Sequence, residues 1–117
     1  MPDASAVPLL TVEQLARELR GAVLILDTRP AEQFAALHIR GSIQISLLGN
    51  FATWAAIIIE PTQKLLLIAE NASHAQEGRN RLVRVGLGNI IGYSIADGNQ
   101  WRKAGMKLAS ISVERSE

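Results

Sequence analysis

Two uninterrupted apolar runs stand out from the pattern of polar and apolar positions along this chain. They cover residues 23–26 and 65–69; Asp27 follows the first run, and polar residues flank the second on both sides. Both are far shorter than the roughly 20 apolar residues that a membrane span requires. Short continuous apolar runs are typical of strands buried on both faces, as in a parallel sheet. We therefore expect these two runs to form the centre of a sheet.

Helical spacing of apolar residues follows clear start signals. Thr11 and Gln14 form the pattern of a capping box for a helix that ends at Gly21. Ser73 and Gln76 predict a second capping box, and Asn50 is the expected cap of another helix. Further helices are predicted over residues 31–37, 51–59, 73–85 and 99–104, and shorter strands over residues 42–46 and 89–93.

Strands that alternate with short helices predict the α/β class. We expect one domain with a central, mostly parallel sheet of about five strands and helices on both faces. Residues 1–8 are interpreted as a loose lead-in, residues 9–106 as the domain, and residues 107–117 as a C-terminal strand or tail. A chain of 117 residues is long enough for a core that needs no metal or disulfide.

Charge and composition exclude several classes of partner. The net charge is +1, which argues against a nucleic-acid or membrane-surface binder. Arg79, Arg81 and Arg84 form the only basic cluster along the sequence, and helical spacing predicts that they occupy a solvated face. The start lacks the features of a signal peptide, so we expect the protein in the cytoplasm. The chain contains no cysteine.

The order of residues after the first apolar run resembles the first signature of the rhodanese-like family. That signature reads approximately Asp-x-Arg, an acidic-aromatic pair, and Gly-His-Ile-Pro-Gly-Ala. The matching residues are Asp27, Arg29, Phe34, His38, Ile39 and Gly41. The chain departs from the signature at Gln33, Leu37, Arg40 and Ser42.

A second signature extends the resemblance almost to the end of the chain. Residues 82–86 are similar to the helix that follows the family's active loop, and Trp101 with Gly105 resembles the family's Trp-x-x-x-Gly pattern near the end. Ala96 and Asp97 stand where the family has a Gly-Gly pair. The resemblance implies a single rhodanese-like domain over most of the chain.

The resemblance also implies where catalysis would occur. The family's cysteine would lie at about Glu70, and its active loop corresponds to the residues Glu70, Asn71, Ala72, Ser73, His74 and Ala75. Sulfur transfer needs a thiolate that attacks the donor and holds the sulfur as a persulfide. A chain without cysteine has no such group, so we expect no catalytic residue. The expected function is a non-catalytic binding or regulatory module linked to sulfur metabolism.

Two alternatives remain open at this stage. Glu70, Ser73 or His74 could perform acid–base or hydrolytic work in an enzyme that uses a loop without cysteine. Alternatively, backbone amides at the start of the following helix could bind a small anion, because such a site needs only backbone donors. The carboxylate of Glu70 disfavours an anion at that place.

A narrower likeness concerns the partner. Residues 49–55 resemble the corresponding part of rhodanese-like domains that are fused to metallo-β-lactamase-fold hydrolases, persulfide dioxygenases among them. Such appended domains commonly lack the cysteine. The chain has no His-x-His-x-Asp-His metal motif, so the resemblance implies a protein partner or a fused domain, with such a hydrolase as the candidate.

The remaining candidate residues have structural interpretations. Asp27 and Arg29 are expected to form a structural, partly exposed ion pair. His38 is expected to brace the loop geometry, since two histidines without ligand spacing predict no metal site, and no cofactor is expected. Trp101 is assigned to packing, whereas an exposed Trp54 would mark a partner surface.

Overall fold

The computed structural model of the chain describes residues 6–110. In this part the helices are α1 (Val12–Glu18), α2 (Ala31–Ala36), α3 (Phe51–Ile58), α4 (Ala72–Arg84) and α5 (Gly98–Lys103). The strands are β1 (Val23–Asp27), β2 (His38–Ile39), β3 (Ile43–Gln44), β4 (Lys64–Ala69), β5 (Ile90–Ile95) and β6 (Leu108–Ala109). Helices and strands alternate, which confirms the predicted α/β class.

Four strands form the main sheet in the order β3-β1-β4-β5, and every neighbouring pair is parallel. The two apolar runs predicted to be central are β1 and β4, and they lie side by side with Ile25 opposite Leu66. A separate antiparallel pair joins β2 to β6. The sequence analysis did not predict β2, because two residues are too few to show a period.

The two central strands are apolar throughout because each of their faces meets a different core. In β4, Leu65 and Leu67 pack with α3 and α4, whereas Leu66 and Ile68 pack with α1 and with Trp101 of α5. All four strand residues are fully buried. Successive strand side chains point to opposite faces, so a sheet covered on both sides requires an apolar residue at every position.

The start of α1 agrees with the prediction. The amide of Gln14 donates to Thr11 Oγ1 at 3.1 Å, and the amide of Thr11 donates to Gln14 Oε1 at 2.8 Å. The capping box is therefore confirmed. By contrast, Asn50 precedes α3 without a capping hydrogen bond from its side chain.

The capping box predicted at Ser73 and Gln76 is wrong. Helix α4 begins at Ala72, and its N-cap is Asn71, two residues before the expected cap Ser73. The Asn71 side-chain oxygen accepts from the His74 amide at 2.8 Å. Gln76 instead accepts a hydrogen bond from the Val7 amide at 2.9 Å. A good cap residue lies closer to the strand, and a long-range contact engages the glutamine that would have completed the box.

Both ends of the described chain are attached to the domain. The Tyr93 amide donates to the Pro8 carbonyl, and Leu9 forms an isolated bridge with Tyr93. At the other end, β6 lies within the predicted C-terminal strand. The rest of that prediction, residues 111–117, lies outside the described residues, as do residues 1–5 of the predicted lead-in.

Candidate functional site

The carboxyl ends of β1 and β4 bring the candidate residues to one edge of the sheet. Asp27, the last residue of β1, lies opposite Ile68 of β4, and the Thr28 amide donates to the Ile68 carbonyl at 2.9 Å. The segment 28–30 therefore runs beside the junction between β4 and α4. In open α/β sheets this edge is where ligands bind. Two junctions lie there, one after β1 and one after β4.

The junction after β1 is a buried ion pair. Arg29 Nη2 lies 2.7 Å from Asp27 Oδ2, and Arg29 Nε lies 2.9 Å from Asp27 Oδ1. Asp27 is 0% exposed and Arg29 is 7% exposed. The prediction of a partly exposed pair is wrong. Burial is tolerated because both charges are hydrogen-bonded in a bidentate geometry, which offsets part of their desolvation cost.

Arg29 also ties the end of β1 to three other parts of the domain. Its Nη2 donates to the Leu37 carbonyl at 2.8 Å, and its own carbonyl accepts from Gln44 Nε2 at 2.8 Å. Its guanidinium lies 5.7 Å from the centre of the Trp101 ring, within cation–π range. Trp101 itself is 1% exposed and belongs to the α1/α5 core. The charged groups of Asp27 and Arg29 are therefore engaged by contacts within the protein.

His38 contacts Phe34 in two ways. Its Nδ1 lies 2.7 Å from the Phe34 carbonyl oxygen, so the Nδ1-protonated ring donates a hydrogen bond there. The two rings stack with centroids 3.8 Å apart and planes 10° from parallel. The side chain joins the end of α2 to β2. This geometry favours the bracing role that the sequence analysis predicts.

The junction after β4 is short and exposed. Only Glu70 and Asn71 separate β4 from α4, so Ala72 and the residues after it form the first helical turn. The predicted active loop is thus mostly helix. Glu70 Oε2 accepts from Gln33 Nε2 at 3.0 Å, and Glu70 Oε1 lies 3.5 Å from His74 Nδ1. The side chain of Glu70 is 36% exposed and that of His74 is 47% exposed.

The helix start restricts which backbone donors a ligand could use. The His74 amide donates to the Asn71 side chain, and the Ala75 amide donates to the Asn71 carbonyl at 3.1 Å. Of the first-turn amides, those of Ala72 and Ser73 point along the axis without an intrahelical acceptor. They follow Glu70 by two and three positions along the chain. The junction therefore opposes an approaching anion with a negative charge.

No group of three or more histidine, aspartate and glutamate residues that could hold a metal is found within residues 6–110. In the same part of the chain, no helix is both long and apolar enough to cross a membrane.

Helix α3 carries an exposed apolar surface. Its inner side buries Phe51 and Ala55, but its outer side and the preceding turn leave four large apolar side chains in solvent. We call these residues the α3 patch: Leu48, Trp54, Ile57 and Ile58, which are 79%, 56%, 68% and 50% exposed. The sequence analysis singled out Trp54, but the two isoleucines and Leu48 were missed. The unbroken apolar run over residues 54–59 was the available signal for the two isoleucines.

The predicted basic cluster on α4 is not the only one in space. Arg81 donates to Glu77 at 2.7 Å and to the Leu47 carbonyl at 2.8 Å, so its charge is already paired. A second set of cations, drawn from four separate segments, surrounds a trough between α1 and α5. No local pattern in the sequence indicates this set, because its members are far apart along the chain.

A family model for the rhodanese-like domain matches residues 11–104. The chain belongs to the rhodanese-like family. The match spans the first signature and all of the second except Gly105, from the start of α1 to the end of α5. No curated protein matches this chain.

Solved structures show the same fold in this rhodanese-like domain and in its relatives. The Alr3790 protein from Anabaena sp. has a TM-score of 0.71 at 19% identity, covering 89% of this chain and 94% of that chain. Protein hp1203 from Helicobacter pylori has a TM-score of 0.70 at 15% identity, covering 93% and 96%. Thiosulfate sulfurtransferase from Pseudomonas aeruginosa has a TM-score of 0.68 at 20% identity, covering 91% of this chain but 21% of that one. At such identities the likeness shows the fold alone.

Proposed function

We propose that this rhodanese-like domain is non-catalytic and acts as a binding or regulatory module linked to sulfur metabolism. The observation that carries the proposal is the absence of any cysteine from the chain. Glu70 follows β4 directly, at the position where the family resemblance implies the nucleophile. A carboxylate cannot form the persulfide that sulfur transfer requires.

The geometry after β4 supports the same proposal independently of the missing thiol. Asn71 starts α4 at Ala72, so an open loop of several residues is replaced by a two-residue junction. Glu70 is engaged by Gln33 and His74. An anionic sulfur donor would meet a like charge here, and like charges in contact disfavour association.

The α3 patch supports a role in binding a protein. Contiguous exposed apolar surface of this kind often marks an interaction site. Aromatic residues such as Trp54 are frequent anchors of protein interfaces. The partner that we propose is a metallo-β-lactamase-fold hydrolase domain, either fused or separate, because the residues around Trp54 carry the resemblance to domains with such neighbours. The link to sulfur metabolism rests on this partner.

The catalytic part of the proposal is tested by a thiosulfate:cyanide sulfurtransferase assay. The wild-type domain is expected to show no turnover above the uncatalysed rate. A Glu70→Cys variant restores the thiol, and we expect it to remain nearly inactive because the short junction does not surround the sulfur with amide donors. Turnover by the wild type at a rate ordinary for the family would refute the proposal. Activity in the variant alone would mean that only the thiol is missing.

The binding part is tested by capture from a native lysate, with mass spectrometry used to look for a metallo-β-lactamase-fold protein. Trp54→Glu places a charge in the α3 patch and is expected to abolish capture. Val83→Glu is the matched control, because Val83 is an exposed apolar residue on α4, at 40% exposure. Capture that is unaffected by Trp54→Glu, or no hydrolase in any sample, would contradict this part.

A further inference from the structure

A trough runs between α1 and α5 on the face of the sheet opposite α3 and α4. It consists of two adjoining hollows of about 570 and 490 Å³, which share Ala16, Arg20 and Ala104. Each hollow lies within the size range of small-molecule sites, about 300–1,000 Å³. The trough shares no residue with the α3 patch or with the junction after β4.

The floor of the smaller hollow, of about 490 Å³, is apolar. Ile25 and Ile39 are buried at its base, with 4% and 2% exposure, and Leu19, Val23 and Met106 line it as half-buried side chains. A ligand that covers half-buried apolar carbon removes it from water, and this stabilises the complex in proportion to the area covered. The floor therefore favours a ligand with a hydrocarbon body.

The rim of the trough is cationic. Five basic residues line the two hollows against a single acid, Glu13. The five are Arg17, Arg20, Arg40, Lys103 and Lys107. The whole chain has 12 lysines and arginines and a net charge of only +1, so positive charge is concentrated at this trough.

These cations are available to a ligand. The ion pairs within residues 6–110 join Arg29 to Asp27, His74 to Glu70 and Arg81 to Glu77. The side chains around the trough take part in none of them, nor in a side-chain hydrogen bond within that part of the chain. The cations come from α1 and the turn after it, from the residue after β2, from α5 and from the residue before β6. Cations from different elements surround the space where an anionic group would lie.

We propose that the trough binds an amphipathic anion, with its aliphatic or aromatic body on the apolar floor and its carboxylate among Arg20, Arg40 and Lys107. A small inorganic anion would leave the floor in water, and a neutral hydrocarbon would leave the cations unused. Arginine pairs with a carboxylate through two parallel N–H donors. The combination of floor and rim therefore selects a ligand that has both parts.

The test is a titration of the ¹⁵N-labelled domain with dodecanoate below its micelle concentration, followed by amide chemical shifts. Saturable shifts are expected at α1, α5, Arg40 and residues 104–107. Dodecanol has the same chain without the charge, and acetate has the charge without the chain. Both are expected to bind at least about tenfold more weakly, because each lacks one half of the interaction.

Paired charge-reversal variants distinguish specific binding by the cations of the trough from attraction of the ligand to the overall charge of the protein. Arg20→Glu with Lys107→Glu is expected to weaken dodecanoate binding by about tenfold or more. Arg79→Glu with Arg84→Glu changes the net charge equally on α4 and is expected to leave the affinity unchanged. The amide spectra report whether each variant folds.

Three outcomes would overturn the proposal. Binding of dodecanol as tightly as dodecanoate would indicate apolar adsorption alone. Equal weakening by the α4 variant would indicate attraction to overall charge. Shifts confined to the α3 patch would place the ligand on a different surface.

Discussion

The two junctions at the carboxyl edge of the sheet differ in burial and in the number of contacts that hold them. After β1, Asp27 and Arg29 are almost completely buried, and four hydrogen bonds join the Arg29 side chain to Asp27 and Leu37. After β4, Glu70 is more than one-third exposed and is held by Gln33 and His74 at the surface. The junctions are neighbours in space, yet only the first is part of the core.

This difference explains how a rhodanese-like domain can lack the family's cysteine and keep its fold. The buried junction connects β1 with α2, β3 and α5, so its residues contribute to the stability of the whole domain. The junction after β4 consists of two exposed residues, Glu70 and Asn71. Its residues can change without disturbing the core, because exposed side chains contribute little to folding free energy. We therefore expect substitutions at the buried junction to lower the free energy of unfolding more than substitutions at the exposed one.

The largest effect is expected for Arg29→Ala. Removing one member of a buried pair leaves Asp27 charged and without its partner, and this costs about 3–5 kcal/mol of unfolding free energy. Urea denaturation followed by circular dichroism measures the change. Asp27→Leu combined with Arg29→Met should lose less than Arg29→Ala, because neither charge is then left unpaired. A loss as small as that of an exposed arginine such as Arg102 would show that the pair does not anchor the junction.

A smaller effect is expected for Asn71→Ala. The substitution removes the hydrogen bond from the His74 amide to the N-cap side chain, which typically contributes about 1 kcal/mol. Ser73→Ala is the matched control, since the structure places Ser73 inside the first turn of α4. Urea denaturation should show the loss for Asn71 only. A loss for Ser73→Ala but not for Asn71→Ala would indicate that Ser73 is the N-cap and would contradict the two-residue junction.

The smallest effect is expected for Glu70→Ala. Its partners are exposed, and substitutions at such positions usually change stability by no more than about 0.5 kcal/mol. The midpoint of thermal unfolding should therefore stay close to that of the wild type. A loss comparable to that of Asn71→Ala would mean that the contacts with Gln33 and His74 hold the edge together. In that case the two junctions would differ less than their burial indicates.

Much of the fold could be predicted because its signals are local. The apolar runs of β1 and β4 and the Thr11 capping box were identified correctly from residues adjacent in the chain. The two-residue strands β2 and β3 were respectively missed and predicted too long, since two residues carry no period. The start of α4 was placed incorrectly because two good cap residues, Asn71 and Ser73, lie close together. The choice between them depends on where β4 ends.

The candidate site could be predicted only in part. The missing thiol and the position of Glu70 follow from the sequence and its family resemblance. The full burial of Asp27 and Arg29 does not, because burial depends on α2, β3 and α5 converging on one place. The same applies to the α1/α5 trough, whose cations Arg20, Arg40 and Lys107 are distant along the chain.

For this protein, the amino-acid sequence by itself determined the α/β class, the central strands and the absence of a sulfur nucleophile. These properties depend on residue type and on spacing over a few positions. Only the tertiary structure decided which charges are buried, where the α4 helix begins and which cations share a trough. Those properties arise when distant segments pack together, because packing sets both the solvent exposure of each group and its neighbours.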